Sequence, residues 1–156
     1  MKILDNFLDQ EKFDELRTIM MGSNIDWHYS DGIDFGVKDS AGKITWPNEV
    51  DRDKFQFAHM FYVNFAPNSP FCAHLGPITE IIDPISLWRI KANLLTKTPN
   101  IIENAFHVDM TGVSEEKVKQ LTTSIFYVNT NNGYTEFEDG TKVESVANRM
   151  VIFQPT

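Results

Sequence analysis

The sequence contains little cysteine and comparatively little positive charge. Cys72 is the only cysteine among 156 residues, which excludes an internal disulfide and a disulfide-rich secreted scaffold. We expect its side chain to serve as a small, buried or half-buried hydrophobic group. Lys and Arg number 14 against 22 Asp and Glu, so the formal net charge is −8. Since nucleic acids and anionic lipids require a positive surface, we expect neither as a partner.

A secretion signal and a long apolar run are also missing. The start, Met1-Lys2-Ile3-Leu4-Asp5, lacks the apolar core and small-residue cleavage site of a signal peptide. Phe55 to Thr79 carries no charged side chain, but Asn64, Pro67 and Gly76 interrupt it. No run therefore approaches the roughly 20 apolar residues of a membrane span. These absences predict a soluble, cytoplasmic protein.

The remaining composition predicts one folded domain. Apolar residues make up 42% of the chain, with 12 Phe among them, which is enough for a hydrophobic core. A length of 156 residues suits a single core, so we expect one domain over 1–156. There is no Gly-rich phosphate loop, no His-Glu-x-x-His and no Gly-x-Ser-x-Gly motif to suggest common hydrolytic or nucleotide chemistry.

Local patterns predict helices early in the chain and strands later. A short strand at Lys2–Leu4 precedes a helix that Asp9 caps, and a second helix over 71–82 ends at Asp83-Pro84. Strands are predicted at the following segments: 55–65, 87–95, 124–129 and 149–153. Asn132-Gly133 and Asp139-Gly140 are typical hairpin turns. The pattern favours a mainly β protein, an antiparallel sandwich or jelly roll with N-terminal helices.

The most informative short motif is His107-Val108-Asp109. Residues two apart on a strand point to the same face, so the imidazole and the carboxylate would emerge together. Phe106 and Val108 would then anchor the opposite face. Iron(II) oxygenases hold their metal with two His and one carboxylate, which leaves positions open for cosubstrate and oxygen. Because three residues are a short motif, a hydrogen-bonded His–Asp contact without metal is the alternative.

Segments on either side of this motif extend the pattern. They are Ser124-Ile125-Phe126-Tyr127-Val128-Asn129, Gly133-Tyr134-Thr135-Glu136-Phe137 and Asn148-Arg149-Met150-Val151-Ile152-Phe153, with Leu4-Asp5-Asn6-Phe7-Leu8 and Arg89-Ile90-Lys91-Ala92-Asn93-Leu94-Leu95 before it. Their order resembles the prolyl 4-hydroxylase-like branch of the 2-oxoglutarate and iron(II)-dependent oxygenases, and especially its short phage and marine-microbial members. The resemblance covers most of the chain and is weakest between Gly32 and Asp53.

The resemblance implies a double-stranded β-helix, a cupin-like jelly roll, with iron(II) at its mouth. By analogy His107 and Asp109 are two of the three protein ligands, with no catalytic residue beyond the ligands. Tyr127 matches a tyrosine that helps to hold the cosubstrate 2-oxoglutarate, and Asn93 would line the same pocket. The alternatives are that Tyr127 is a core aromatic with a satisfied hydroxyl and that Asn93 faces water.

One departure from the family concerns the C-terminal end. The family has a second His on a later strand and then an Arg or Lys that pairs with 2-oxoglutarate, whereas no His follows His107 here. Arg149 matches a structural basic residue, and we expect His28, His59 and His74 to be structural or surface histidines. The expectation is therefore an oxygenase domain that lacks its last strands, with an unpaired strand edge that favours a homodimer.

The resemblance implies hydroxylation of a C–H bond coupled to conversion of 2-oxoglutarate into succinate and carbon dioxide. The substrate is expected to be a peptidyl proline or a small molecule. Two alternatives stay open at this point: a non-catalytic β-helix protein that binds a ligand, and an inactive fragment of an oxygenase. Loss of metal affinity in His107→Ala distinguishes the oxygenase from the binding protein.

Overall fold

The computed structural model describes residues 1–33, 37–38, 44–45, 54–107 and 114–155, with 37–38 and 44–45 described by their backbone. The strands are β1 (Lys2–Leu4), β2 (His28–Ser30), β3 (Val37–Lys38), β4 (Ile44–Thr45), β5 (Gln56–Val63), β6 (Ala66–Pro67), β7 (Arg89–Leu94), β8 (Thr123–Tyr127), β9 (Tyr134–Glu136), β10 (Lys142–Glu144) and β11 (Arg149–Phe153). The helices are α1 (Gln10–Met20), a 3₁₀ helix (Pro70–Leu75), α2 (Gly76–Ile82) and α3 (Glu115–Val118). The described strand pairs are antiparallel, and the predicted mainly β character is confirmed.

The chain divides into two compact units. The first unit comprises Met1–Phe13 together with Phe106–Thr156, and the second unit is the continuous segment Asp14–Ala105. The boundary falls inside α1.

The main sheet of the first unit has the order β1-β11-β8. Its central strand, β11, pairs with β1 through Ile3 opposite Val151 and with β8 through Arg149 opposite Tyr127. Met150 and Val151 are only 1% and 0% exposed, as expected for an apolar strand in the middle of a sheet. The strands predicted at 2–4 and 149–153, an edge strand and the central strand of this sheet, are confirmed.

The two predicted hairpin turns have different outcomes. Asp139-Gly140 does connect the paired strands β9 and β10, and Gly140 has the positive φ of 82° that this turn requires. The prediction for Asn132-Gly133 is wrong, because the strands on either side of it pair elsewhere, β8 with β11 and β9 with β10. A turn dipeptide reports only the local backbone, and long-range pairing with β11 decides the partner of β8.

The helix that the sequence predicts after Asp9 is confirmed as α1, and so is its cap. The side chain of Asp9 accepts a hydrogen bond from the Lys12 amide at 3.1 Å, which satisfies one of the open donors of the first turn. Phe13, Leu16 and Met20 recur at helical spacing and are all buried.

The second unit is built around β5, which pairs with β2, β6 and β7. An irregularity between Met60 and Tyr62 shifts the register against β7. Phe61 and His59 are the buried apolar and polar side chains in the middle of this strand. The aromatic and β-branched composition of 56–63 favours a strand at this position, and the predicted strand is confirmed.

The predicted helix over 71–82 forms as two joined helices. Ser69 caps the 3₁₀ helix by accepting a hydrogen bond from the Phe71 amide at 3.1 Å. Pro77 has no N–H to continue an α-helical ladder, so the segment before it is wound more tightly and α2 begins at Gly76. The expected stop is confirmed, with Asp83 in the left-handed region at φ 47°.

Cys72 lies in the 3₁₀ helix and is half-buried, as its small apolar side chain predicts. Burial raises the pKa of this thiol above the ordinary cysteine value. Within the described ranges no helix has the length and apolar character that crossing a bilayer requires.

Candidate functional site

Residues 101–107, which lead into the His107 motif, are not part of a described strand. His107 is exposed, and residues 101–107 form no ladder with any described strand. Phe106, expected to anchor the opposite face, is 62% exposed, so that expectation is wrong. A strand face forms beside a partner strand, and residues 101–107 pair with no described strand. Val108 and Asp109 lie outside the described residues, and the ligand roles of His107 and Asp109 stay predictions.

Tyr127 is at the end of β8, in the first unit, and its hydroxyl is in contact with the next strand along the chain. Its Oη lies 2.7 Å from Oγ1 of Thr135 on β9. Tyr127 is half-buried, and burial is the main reason that its pKa lies above the ordinary tyrosine value. The Thr135 hydrogen bond and the charge of Arg149 act in the opposite direction, because both favour the phenolate.

Arg149 lies opposite Tyr127 on β11 and is engaged by a carboxylate. Its Nε and Nη2 donate to the two carboxylate oxygens of Asp5 at 2.6 and 3.1 Å, and its Nη1 donates to the Glu144 carbonyl at 3.2 Å. The hydrogen bond from Arg149 holds the pKa of the Asp5 carboxyl below its usual range. This bidentate contact links Asp5, which directly follows β1, to β11. It agrees with the structural role that the sequence predicts for Arg149.

Asn93 belongs to the second unit, unlike His107 and Tyr127. It lies on β7 opposite Ala58 of β5, and its side chain is exposed. An exposed polar residue on a strand agrees with the alternative that Asn93 faces water. Its proposed part in binding 2-oxoglutarate stays a prediction.

The structure brings together a polar cluster that the sequence analysis did not assemble. Asp26, His28, His59 and Ser69 line one pocket of about 110 Å³ in the second unit. The pairing of β2 with β5 sets His28 opposite Ala58, one residue from His59, and the turn after β6 carries Ser69 back to the same place. No motif spacing predicts this cluster, since its members are up to 43 residues apart (69 − 26).

His59 is the centre of this cluster and is only 3% exposed. Its Nδ1 lies 2.7 Å from the Asp26 carbonyl oxygen, and its Nε2 lies 2.8 Å from the Ser69 hydroxyl. The ring is enclosed by Phe61 and Phe71, with centroid distances of 4.5 and 5.9 Å. Both ring nitrogens therefore have hydrogen-bond partners, which removes the penalty for burying the imidazole.

The carboxylate of Asp26 lies between two imidazoles. Its Oδ1 is 3.3 Å from Nδ1 of His59, and its Oδ2 is 3.0 Å from Nε2 of His28. The pKa of Asp26 is lowered, mainly by a hydrogen bond within the residue to its own backbone and further by the two histidines. The group is therefore an ionised carboxylate at neutral pH.

The donor types of the predicted metal site fit iron(II), because imidazole and carboxylate are the ligands of such centres. Among the residues that the structure describes, no group of three or more His, Cys, Asp or Glu side chains is arranged to hold a metal ion. Asp109 is outside that set. Comparison of the chain with models of protein families, with curated proteins and with solved structures gives no match.

Proposed function

We propose that the chain is an oxygenase-type double-stranded β-helix protein that uses iron(II) and 2-oxoglutarate to hydroxylate a C–H bond. The observation that carries the proposal is the hydrogen bond between Tyr127 and Thr135. Each of these residues belongs to a different segment of the resemblance, one to the Tyr-Val-Asn strand and the other to the Gly-x-Thr-x-Phe segment. Their contact supports the view that the two segments serve one pocket.

The placement of the two hydroxyls suits a carboxylate. A phenol that donates to a carboxylate oxygen must be protonated, and the raised pKa of Tyr127 keeps it so at neutral pH. Thr135 holds the phenol in position and leaves the rotatable hydroxyl protons free to reorient toward an incoming anion. Tyr127 would bind the distal carboxylate of 2-oxoglutarate, while Arg149 keeps its hydrogen-bonded ion pair with Asp5.

His107 and Asp109 would be two of the metal ligands. When bound, iron(II) supplies the oxidative chemistry, and the protein contributes the position of the cosubstrate and of the substrate. His107 is exposed to solvent. The substrate we propose is a peptidyl proline or a small molecule, since the charge of −8 opposes binding of nucleic acid.

Metal titration tests the proposal directly. Mn(II) is a redox-silent probe for an iron(II) site, and its binding to the wild type, His107→Ala and His74→Ala can be followed by electron paramagnetic resonance. His74 is also exposed but lies in the 3₁₀ helix of the second unit, so His74→Ala is the matched control. We expect His107→Ala to weaken Mn(II) binding at least about tenfold and His74→Ala to leave it unchanged.

Cosubstrate binding provides the second part of the test. With Mn(II) present, we expect Tyr127→Phe to weaken 2-oxoglutarate binding by about 10- to 100-fold, the value of a hydrogen bond to a charged group. Equal Mn(II) binding by the wild type and His107→Ala would contradict the proposal. The chain would then be better explained as a β-rich binding protein without iron chemistry.

A further inference from the structure

The second unit contains a serine hydroxyl that is hydrogen-bonded to an imidazole, with a carboxylate 3.3 Å from the other ring nitrogen, and the iron proposal uses none of these three groups. Ser69 Oγ lies 2.8 Å from His59 Nε2, and the opposite nitrogen of the ring faces Asp26. All three residues line the pocket of about 110 Å³. Because they belong to one unit, their mutual geometry is set by the pairing of β2 with β5 and by the turn after β6.

The hydrogen bonds determine which nitrogen of His59 carries the proton and which nitrogen accepts. A carbonyl oxygen can only accept, so the contact of 2.7 Å between Nδ1 of His59 and the Asp26 carbonyl assigns the proton to Nδ1. In the neutral imidazole Nε2 is then the acceptor, and it accepts from the Ser69 hydroxyl. The Phe71 amide donates to Ser69 Oγ from another side at 3.1 Å, which favours an Oγ–H directed at His59.

The surroundings hold the imidazole in this orientation. His59 is enclosed by the aromatic rings of Trp27, Phe61 and Phe71, so the ring has no room to swing away from Ser69. The Asp26 carboxylate at 3.3 Å from Nδ1 adds a negative charge beside the ring. That charge stabilises the imidazolium that would form if His59 took the serine proton.

The pocket limits what can reach the serine. A volume of about 110 Å³ exceeds the space that a single water requires and is small for a drug-sized ligand. Its wall combines apolar surface from Met60 and Pro70 with the polar groups of Asn68 and the cluster. A short acyl group fits these dimensions and this mixed lining.

We propose that Ser69 is a nucleophile, activated by His59 and supported by Asp26, that accepts a short acyl group from small carboxylic esters. In the first step Ser69 Oγ bonds to the ester carbonyl carbon, its proton passes to Nε2 of His59, and the C–O bond to the alcohol breaks as that proton is delivered to the leaving oxygen. Water then attacks the acyl-serine with His59 as base, which releases the carboxylic acid and restores the hydroxyl. This activity is independent of the iron chemistry proposed above.

Acetylation by p-nitrophenyl acetate, followed by peptide mass spectrometry, tests the proposal on the intact chain. Ser86 is an exposed serine of the same unit and provides an internal control in every sample. We expect Ser69 to be acetylated about 100-fold faster than Ser86, the usual gain from a positioned general base. Equal rates at the two serines would overturn the proposal, and this comparison requires no variant that could misfold.

Three variants sharpen the result. Cys72→Ala removes the nearby thiol, and acetylation of Ser69 should persist in it, whereas its loss would show that the acyl group arrives through Cys72. Ser69→Ala should abolish the acyl adduct at that peptide and lower the release of p-nitrophenolate to the spontaneous rate, whereas the control Ser86→Ala should release it as fast as the wild type. Asp26→Asn keeps the backbone carbonyl that accepts a hydrogen bond from His59, and it should slow acetylation several-fold. An unchanged rate would show that the Asp26 carboxylate takes no part in the mechanism.

Discussion

The side-chain amide of Asn148 pairs with both backbone polar groups of Leu8. Its Oδ1 accepts from the Leu8 amide at 2.9 Å and its Nδ2 donates to the Leu8 carbonyl at 2.8 Å. Both residues are buried, with exposures of 4% for Asn148 and 2% for Leu8. The segment before α1 therefore obtains from Asn148 the hydrogen bonds that a neighbouring strand would otherwise supply.

We predict that Asn148→Ala destabilises the protein by about 2–4 kcal/mol, because it leaves two buried backbone groups of Leu8 without their partners. Asn148 also has a φ of 62°, which alanine adopts less readily than asparagine. Urea unfolding of the variant and the wild type measures the difference.

Two further substitutions separate these causes. Asn148→Gly removes the backbone strain and still loses both hydrogen bonds, so most of the destabilisation should remain. Asn132→Ala changes an exposed asparagine of the same unit and should alter stability by less than about 0.5 kcal/mol. Full recovery of stability in Asn148→Gly would show that the hydrogen bonds to Leu8 contribute little.

Tyr127 should ionise at a higher pH in the folded protein than in the unfolded chain. Its raised pKa means that the folded protein favours the neutral phenol. This contribution to stability is complete below the ordinary tyrosine pKa of about 10 and is lost as the pH rises through the higher folded value. A spectrophotometric titration, taken as the difference in phenolate absorbance between the wild type and Tyr127→Phe, should therefore place the Tyr127 transition at a higher pH in the folded protein than in the unfolded chain.

One variant assigns that transition. Tyr127→Phe should remove the component that ionises at high pH. Denaturation in urea should return the Tyr127 component to the ordinary tyrosine value of about 10. A late component that survives in Tyr127→Phe would contradict the assignment.

Gly140 is predicted to resist substitution by alanine for a conformational reason. Its φ of 82° lies in the left-handed region, and nothing lies within 4 Å of the position that a Cβ would occupy. Gly140→Ala should therefore destabilise the β9–β10 hairpin by about 1 kcal/mol through strain alone, without a steric clash. Gly140→Asn should cost less, since asparagine tolerates this region better. Thermal unfolding of both variants measures this order, and equal losses would argue against strain.

The parts of the fold that the sequence predicts are those determined by residues close together in the chain. The Asp9 cap and the spacing of Phe13 and Leu16 define α1 within a few residues, because a helix satisfies its own backbone. Asp139-Gly140 likewise specifies a hairpin whose two strands are adjacent in the chain. Such elements need no information from the rest of the molecule.

Long-range pairing accounts for what sequence reasoning missed. Nothing in Lys2–Leu4 identifies β11 as its partner, and the same uncertainty made the Asn132-Gly133 hairpin a wrong prediction. The cluster of Asp26, His59 and Ser69 depends on β2 joining β5, so no local pattern reveals it. A site that strand pairing assembles can be identified only when the register of the paired strands is known.

The pairing of β1 with β11 has a consequence for the order of synthesis. Lys2 emerges from the ribosome long before its partner Ile152, which lies far later in the chain. The second unit, continuous from Asp14 to Ala105, has all of its residues earlier. During translation the strand β1 therefore has no partner until β11 has been made, and the β1-β11-β8 sheet closes later than the second unit can fold.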